Sequence, residues 1–240
     1  MRAEIVSPRG NAASLSLAGA QCLQTEVDRR LADELMGRKS QAYGLTKRAL
    51  DLVLGAVGLL LAMPVMLLAA LAVKLSSRGP VFFCQKRAGR GGKPFNMYKF
   101  RSMVQGAEDA RPVMEKLNER EKPIFKIRHD PRVTRVGRLL RRSSVDELPQ
   151  LINVLRGDMS LVGPRPLWVN EARRARGKAK LRETVRPGLT CLWQICGRSE
   201  LPYETWVDLD LYYIRHRSVV LDLMIILQTI PAVLSARGAY

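Results

Sequence analysis

The sequence predicts an α+β protein: a membrane re-entrant helical hairpin joined to a mostly helical body with a small β-hairpin and interfacial amphipathic helices. Three observations lead there. Leu52–Val73 is one uncharged apolar run of 22 residues. Two short strand-like runs flank a glycine-rich turn. Several later stretches read as helices, Arg132–Arg142 among them, with its basic residues three and four apart and apolar ones between.

Taken in order, residues 1–46 read as a flexible cytoplasmic leader with a short helix near Val27–Met36 and no signal-peptide pattern. Residues 47–76 form the membrane segment. As one straight helix the apolar run would be about 33 Å long, enough to cross a bilayer, and a simple spanning helix is the competing reading. Pro64 sits at its middle and removes the hydrogen bond to the Leu60 carbonyl. Lys47 and Arg48 precede the run, and Lys74 and Arg78 follow it, so the positive-inside rule draws both ends toward the cytoplasm. A re-entrant helix broken at Pro64 satisfies both constraints.

Residues 77–240 read as a cytoplasm-facing body. Val81–Gln85 and Phe95–Arg101 read as strands joined through Ala88–Pro94. That turn lacks the GxxxxGK[ST] and GxGxxG patterns of phosphate loops. Ala107–Glu121 reads as a charged surface helix, Val133–Arg142 and Val145–Leu155 as two more, and Trp206–Arg215 as another. Val219–Leu234 is apolar but interrupted by Asp222 and Pro231, which suits a helix lying in the interface.

Composition narrows the function classes. Lys and Arg number 40 against 22 Asp and Glu, a formal net charge of +18, so the partner is anionic: nucleic acid, anionic lipid or a phosphorylated substrate. With 47% hydrophobic residues and a mean hydropathy of −0.09, the chain is neither disordered nor a polytopic membrane protein. Four cysteines (Cys22, Cys84, Cys191, Cys196) outside CxxC spacing, with two histidines, argue against a disulfide scaffold and a zinc site. Cys191 and Cys196 read as packing residues, and His129 and His216 as structural or surface ones.

The densest signal is Arg132–Arg142, an amphipathic stretch with a cationic face. Ser144-Val145-Asp146-Glu147 then matches a capping box, with Ser144 as cap and Glu147 reaching back. Pro149 fits near a helix start, so Asp146 and Glu147 are expected in a first turn, where backbone amides and nearby arginines favour ionised carboxylates. An ionised Asp beside cations suits nucleophilic attack on phosphorus. Glu147 suits a divalent metal bridging a diphosphate. Against this stands plain capping and salt bridging. Pro164, Arg165 and Pro166 fix one guanidinium in a rigid loop, and Lys99 with Arg101 adds charge at the end of the second strand. A second turn, Arg186–Thr190, is followed by Trp193-Gln194 and Gly197-Arg198.

These blocks, in this order, resemble the bacterial sugar transferases, the monotopic phosphoglycosyl transferases that act as polyprenyl-phosphate hexose-1-phosphate transferases. The matching residues are Lys47-Arg48-Ala49-Leu50-Asp51, Gly79-Pro80-Val81-Phe82-Phe83, Phe95–Met103, Asp130-Pro131-Arg132-Val133-Thr134, Asp146-Glu147-Leu148-Pro149-Gln150, Gly157-Asp158-Met159-Ser160, Gly163-Pro164-Arg165-Pro166, Arg186-Pro187-Gly188-Leu189-Thr190 and Asp210-Leu211-Tyr212-Tyr213. The likeness runs from about Lys47 to Pro231.

The resemblance implies a membrane hairpin, with residues 77–240 as the catalytic domain on the cytoplasmic face of the bacterial inner membrane. It also implies Mg²⁺ dependence, a UDP-sugar donor and an undecaprenyl (polyprenyl) phosphate acceptor. The reaction would release UMP and begin assembly of an exopolysaccharide, capsule or O-antigen repeat unit. Asp146 would be the nucleophile, forming an aspartyl phosphosugar in a ping-pong reaction, with Glu147 its metal partner and Arg141 an active-site arginine. Lys99, Arg101, Pro164, Arg165, Pro166 and Arg198 would contact substrate, and Lys47, Arg48 and Pro64 the membrane. Inner-leaflet anionic lipid is a further expected partner, and a homo-oligomer is left open. Where the family usually has Gly after its Pro-Gly-x-Thr turn, this chain has Cys191, and Met63 stands before the proline where a small or polar residue is usual. The alternative function is a membrane-tethered basic nucleic-acid-binding or scaffold protein. Aromatics at 6% and the lack of any nucleic-acid-binding signature weigh against nucleic acid as a partner.

Overall fold

A computed structural model describes residues 41–119, 125, 127, 129–197 and 201–235. The short helix expected near Val27–Met36, the end of the one expected to reach Glu121, and Arg198 lie outside the described residues. Helix α1, Gln41–Ser76, is the long apolar element. It starts within the stretch assigned to the leader, since 41–46 are already helical. It also runs on past Pro64, which lies inside it and is exposed, so the proline does not divide it into two elements.

One stripe of α1 packs along the body. Asp51, Gly55, Ala69 and Val73 are buried, and Leu54, Leu59, Ala62, Met66 and Ala70 are partly buried against core residues. The spacing is that of one helix face. Its other faces are exposed and apolar, Leu60, Leu61, Leu67 and Leu68 among them. Asp51 anchors the first half: its Oδ1 accepts from Ser160 Oγ at 2.9 Å and from the Leu161 amide at 3.0 Å. Lys47 and Arg48, expected as flanking membrane charges, instead dock the helix on the body. Lys47 Nζ lies 3.1 Å from Asp222 Oδ2, and Arg48 donates to the carbonyls of Val154 and Leu155. A buried carboxylate and open helix-end carbonyls are stronger partners for these cations than water-competed headgroups.

Strands β1 (Phe82–Ala88) and β2 (Pro94–Phe100) form the expected antiparallel hairpin, with Phe82 opposite Phe100 and Ala88 opposite Pro94. A second sheet was not foreseen: β3 (Ser160–Val162) pairs in parallel with β4 (Gly188–Thr190). Three-residue strands carry no readable alternation. The charged helix expected over Ala107–Glu121 is reduced to α2 (Arg111–Met114) and a 3₁₀ turn, Glu115–Leu117. Pro112 near its start and Gly106 at positive φ limit it.

Helix α3 covers Arg135–Arg142, capped by Thr134, whose hydroxyl accepts from the Gly137 amide at 2.9 Å. It begins two residues later than expected because Val133 bridges to Met103 and Arg132 is buried. The helix expected over Val145–Leu155 is a 3₁₀ turn, Val145–Glu147, followed by α4, Gln150–Arg156, with Pro149 at its cap. After α5 (Val169–Arg174), a 3₁₀ stretch (Gly177–Thr184) and α6 (Leu192–Ile195) come α7 (Tyr203–His216) and α8 (Val219–Leu234).

The main core gathers Met97, Val154, Met159, Val162, Tyr213 and Ile214, and a smaller one joins Ala69 and Val73 of α1 to Phe100 and Leu140. Helix α8 buries Asp222 and Ile225 and exposes Val220, Met224, Leu227 and Ile230. The hairpin, α3 and the dyad turn therefore meet over the C-terminal half of α1.

Candidate active site

The site begins with a backbone reversal. Ser144 has φ 58°, in the left-handed region, where a side chain costs about 1–2 kcal/mol. The expected capping box is absent, because a cap needs extended backbone and Ser144 caps nothing. The reversal instead aims the 3₁₀ turn toward β2, so Glu147 turns away from its own backbone to cations on two other segments.

Glu147 is pinned. Its Oε1 accepts from Lys99 Nζ at 2.7 Å and from Arg165 Nη2 at 2.5 Å, and Oε2 from Arg165 Nη1 at 3.3 Å. Burial works against its charge, yet Arg165 and Lys99 outweigh burial and hold the carboxyl far below the usual range. Asp146, one residue earlier, is also buried, but its carboxylate has no hydrogen-bond or ion-pair partner among the described residues. Burial, reinforced by the Glu147 charge, outweighs the attraction of Lys99 and Arg141 and pushes Asp146 up to about 6. This corrects the expectation that helix amides and arginines hold it low: the turn is too short to carry a helix dipole, and desolvation wins.

Both carboxylates line a cavity of about 940 Å³. Lys99, Arg141, Arg165 and Pro166 also face it. Arg141 donates from Nε to Ser102 Oγ at 2.9 Å, which fixes its guanidinium beside the dyad. Arg165 is held through its backbone: its carbonyl accepts from Arg182 at 3.3 Å, and Arg182 is paired with buried Asp210 at 2.7 Å. Pro166 contributes its carbonyl to Arg87, at 3.2 Å, and Pro164 contributes its carbonyl to the Gly188 amide, at 2.9 Å. The Pro164 side therefore braces the loop against β4, and only Arg165 and Pro166 reach the main cavity.

Two expectations change. Arg101 lines the cavity but does not join the Glu147 cluster, because its Nη2 donates to carbonyls at the end of α1. Arg132, read as part of the cationic helix face, is buried in a two-bond pair with Asp130, at 2.9 and 2.6 Å. Cys191 is extended, with φ −155°, so no glycine is required there, and its buried side chain contacts Gln194 at 3.1 Å.

Sequence reasoning missed two pairings in the cavity wall. Gln85 donates to Glu108 at 2.8 Å across the cavity wall, and Trp193 stacks on Trp206 with centroids 4.2 Å apart. These pairs are joined only by tertiary packing and carry no local signal. The supporting Arg182–Asp210 pair spans 28 residues and was equally silent.

A free carboxylate beside a pinned one, with fixed cations around a roomy cavity, suits chemistry on a phosphorylated substrate. The family model for the bacterial sugar transferases matches residues 42–236, and the chain belongs to that family. It is 42% identical over 201 residues to the exopolysaccharide production protein ExoY of Rhizobium meliloti, covering 82% of this chain and 89% of the relative. It is 45% identical over 205 residues to the UDP-glucose:undecaprenyl-phosphate glucose-1-phosphate transferase of Escherichia coli, covering 82% of this chain and 42% of the relative. It is 39% identical over 219 residues to the undecaprenyl-phosphate galactose phosphotransferase of Salmonella typhimurium, covering 88% and 44%. The chain thus spans most of the first relative and less than half of the other two.

Proposed function

We propose that this protein transfers a sugar 1-phosphate from a UDP-sugar to undecaprenyl phosphate, releasing UMP, as the opening step of a surface-polysaccharide repeat unit. The observation that carries the reading is the division of labour in the dyad: Asp146 free and facing the cavity, Glu147 locked between Lys99 and Arg165. The carboxylate of Asp146 attacks the sugar-bearing phosphorus, an O–P bond forms, and the bond to the UMP oxygen breaks. An oxygen of the lipid phosphate then attacks the same phosphorus, and the Asp146 carboxylate is released. Lys99, Arg141 and Arg165 stand where charge accumulates on the phosphoryl oxygens, and their preformed contacts limit reorganisation during the step. The names of the relatives support both the donor class and the acceptor.

The residues present fit a magnesium ion that arrives with the diphosphate. Among the described residues no cluster of three metal-ligating side chains exists, but Mg²⁺ needs only one or two carboxylates beside phosphate and water. Glu147 Oε2 has a single long contact, so Glu147 would hold it. When bound, it neutralises the diphosphate.

A monotopic seat on the cytoplasmic leaflet is part of the reading. Both ends of α1 rest on the same body, Asp51 on β3 and Val73 against Phe100 and Leu140, while its outward faces are apolar. A perpendicular span of some 30 Å would carry one end away from that body.

The test is a screen of UDP-sugars with the purified protein, Mg²⁺ and undecaprenyl phosphate. About one equivalent of UMP per enzyme without lipid phosphate, continued UMP release only when lipid phosphate is present, and none with EDTA is the expected result. No UMP from any donor contradicts the reading and favours a scaffold.

A further inference from the structure

We infer that Arg101 is the residue that recognises the phosphate of the lipid acceptor, separately from the cluster that engages the sugar donor. The inference rests on the transfer reaction proposed above. Arg101 is 6% exposed and lines the cavity. One nitrogen, Nη2, donates to the Ser77 carbonyl at 2.8 Å, Ser77 Oγ at 3.0 Å and the Val73 carbonyl at 3.5 Å. Its Nε and Nη1 have no hydrogen-bond partner, and no carboxylate pairs with it among the described residues.

A buried guanidinium without a counter-charge is costly, and carbonyl dipoles offset only part of the cost. Two other buried arginines differ, Arg132 paired with Asp130 and Arg182 with Asp210, as does half-buried Arg165, paired with Glu147. Arg101 alone among these four is short of an anion. Gly79 lies close against it. At φ +121° a Cβ there would stand 2.2 Å from Arg101 Nη1, so the turn after α1 is built around the guanidinium.

Position selects the anion. Arg101 grips the last turn of α1, where the apolar run ends, and Leu75 and Phe82 nearby are exposed apolar side chains. Ile226, Ile230 and Val233 of the apolar helix α8 line the same cavity. A phosphate carried on a polyprenyl chain must enter from this apolar side, whereas a water-soluble nucleotide sugar has no need of it. A dianionic phosphate monoester supplies the missing charge, and its free oxygen is the attacking atom of the second step.

The experiment separates the two half-reactions. Wild type and Arg101→Gln are loaded with donor and Mg²⁺ without lipid, then chased with increasing undecaprenyl phosphate, with and without phosphatidylglycerol vesicles. Arg101→Gln is expected to load with sugar phosphate within about threefold of the wild-type rate, while the half-saturating lipid phosphate rises at least tenfold and overall turnover falls. Arg101→Lys, which keeps the charge, is expected to recover part of that loss, and it serves alone if Arg101→Gln fails to accumulate. Phosphatidylglycerol is expected to leave the wild-type chase unchanged. Equal slowing of loading and chase would reduce Arg101 to a cap on α1, an unchanged acceptor requirement would remove it from recognition, and inhibition by phosphatidylglycerol in wild type alone would assign it to bulk headgroups. Each of these overturns the inference. A wild type that never loads overturns the reaction proposed above instead.

Discussion

Asp146 and Glu147 are neighbours in sequence with opposite electrostatic roles. Glu147 is pinned by Lys99 and Arg165, while Asp146 is left for nucleophilic chemistry. Replacing Glu147 with Gln leaves both cations without their carboxylate in a mostly buried place. That orphaning is expected to cost about 3 kcal/mol, read as a shift in the denaturant midpoint at unchanged slope. Turnover is expected to fall by two orders of magnitude or more, because Lys99 and Arg165 lose the group that fixes their geometry. A variant of wild-type stability would show that the two ion pairs contribute little. The residue types of the site were legible in the sequence: Lys99, Arg141, Asp146, Glu147 and Arg165 all line one cavity. Their electrostatics were not, because the rise of Asp146 depends on burial, which no local pattern encodes.

At the scale of elements, the site depends on how closely α3 approaches the hairpin. Gly137 faces Ser102 so tightly that an added Cβ would stand 1.9 Å from the Ser102 carbonyl oxygen. Backbone, unlike a long side chain, has little room to give. Gly137→Ala is therefore expected to push α3 away, loosening the Arg141–Ser102 bond and destabilising the fold by about 2 kcal/mol or more, despite the higher helix propensity of Ala. Urea unfolding and turnover are both expected to register it; a neutral or stabilised variant would contradict the packing. Boundaries were legible where local chemistry decides them. Helix α3 ends at Arg142 as expected, and α4 ends at Arg156, one residue past the expected Leu155, with Gly157 at φ 89° after it. They were not legible where tertiary contacts decide. The Ser144 reversal replaced a sequence-perfect capping box, and β3 and β4 pair across 28 residues with three residues each. The hairpin could be read because its alternation and its glycine turn are both local.

For the whole molecule, the question is where the apolar surface of α1 and α8 goes. Exposed Leu45 and Leu75 mark the two ends of α1, at 74% and 77% exposure, well suited to reporting each end separately. In a background with the native cysteines changed to serine, Leu45→Cys and Leu75→Cys are each expected to resist a membrane-impermeant thiol reagent in intact cells and to react after lysis. Labelling of one end from outside would mean a spanning helix. The apolar run itself was plain in the sequence, and its length fits a span as well as a re-entrant turn. What the sequence left out was the buried stripe from Asp51 to Val73, which only the packed body defines.

The claim on which the rest depends is that Asp146 carries the sugar phosphate between donor and lipid. Intact-protein and peptide mass spectrometry on enzyme incubated with Mg²⁺ and an active UDP-sugar, without lipid phosphate, measures this directly. The account predicts a mass increase of one hexose phosphate on the peptide containing Asp146, its loss on adding undecaprenyl phosphate, and no increase in Asp146→Asn. Turnover that requires both substrates bound together, with no adduct trapped on wild type, would contradict it and would leave Asp146 as a metal ligand or general base.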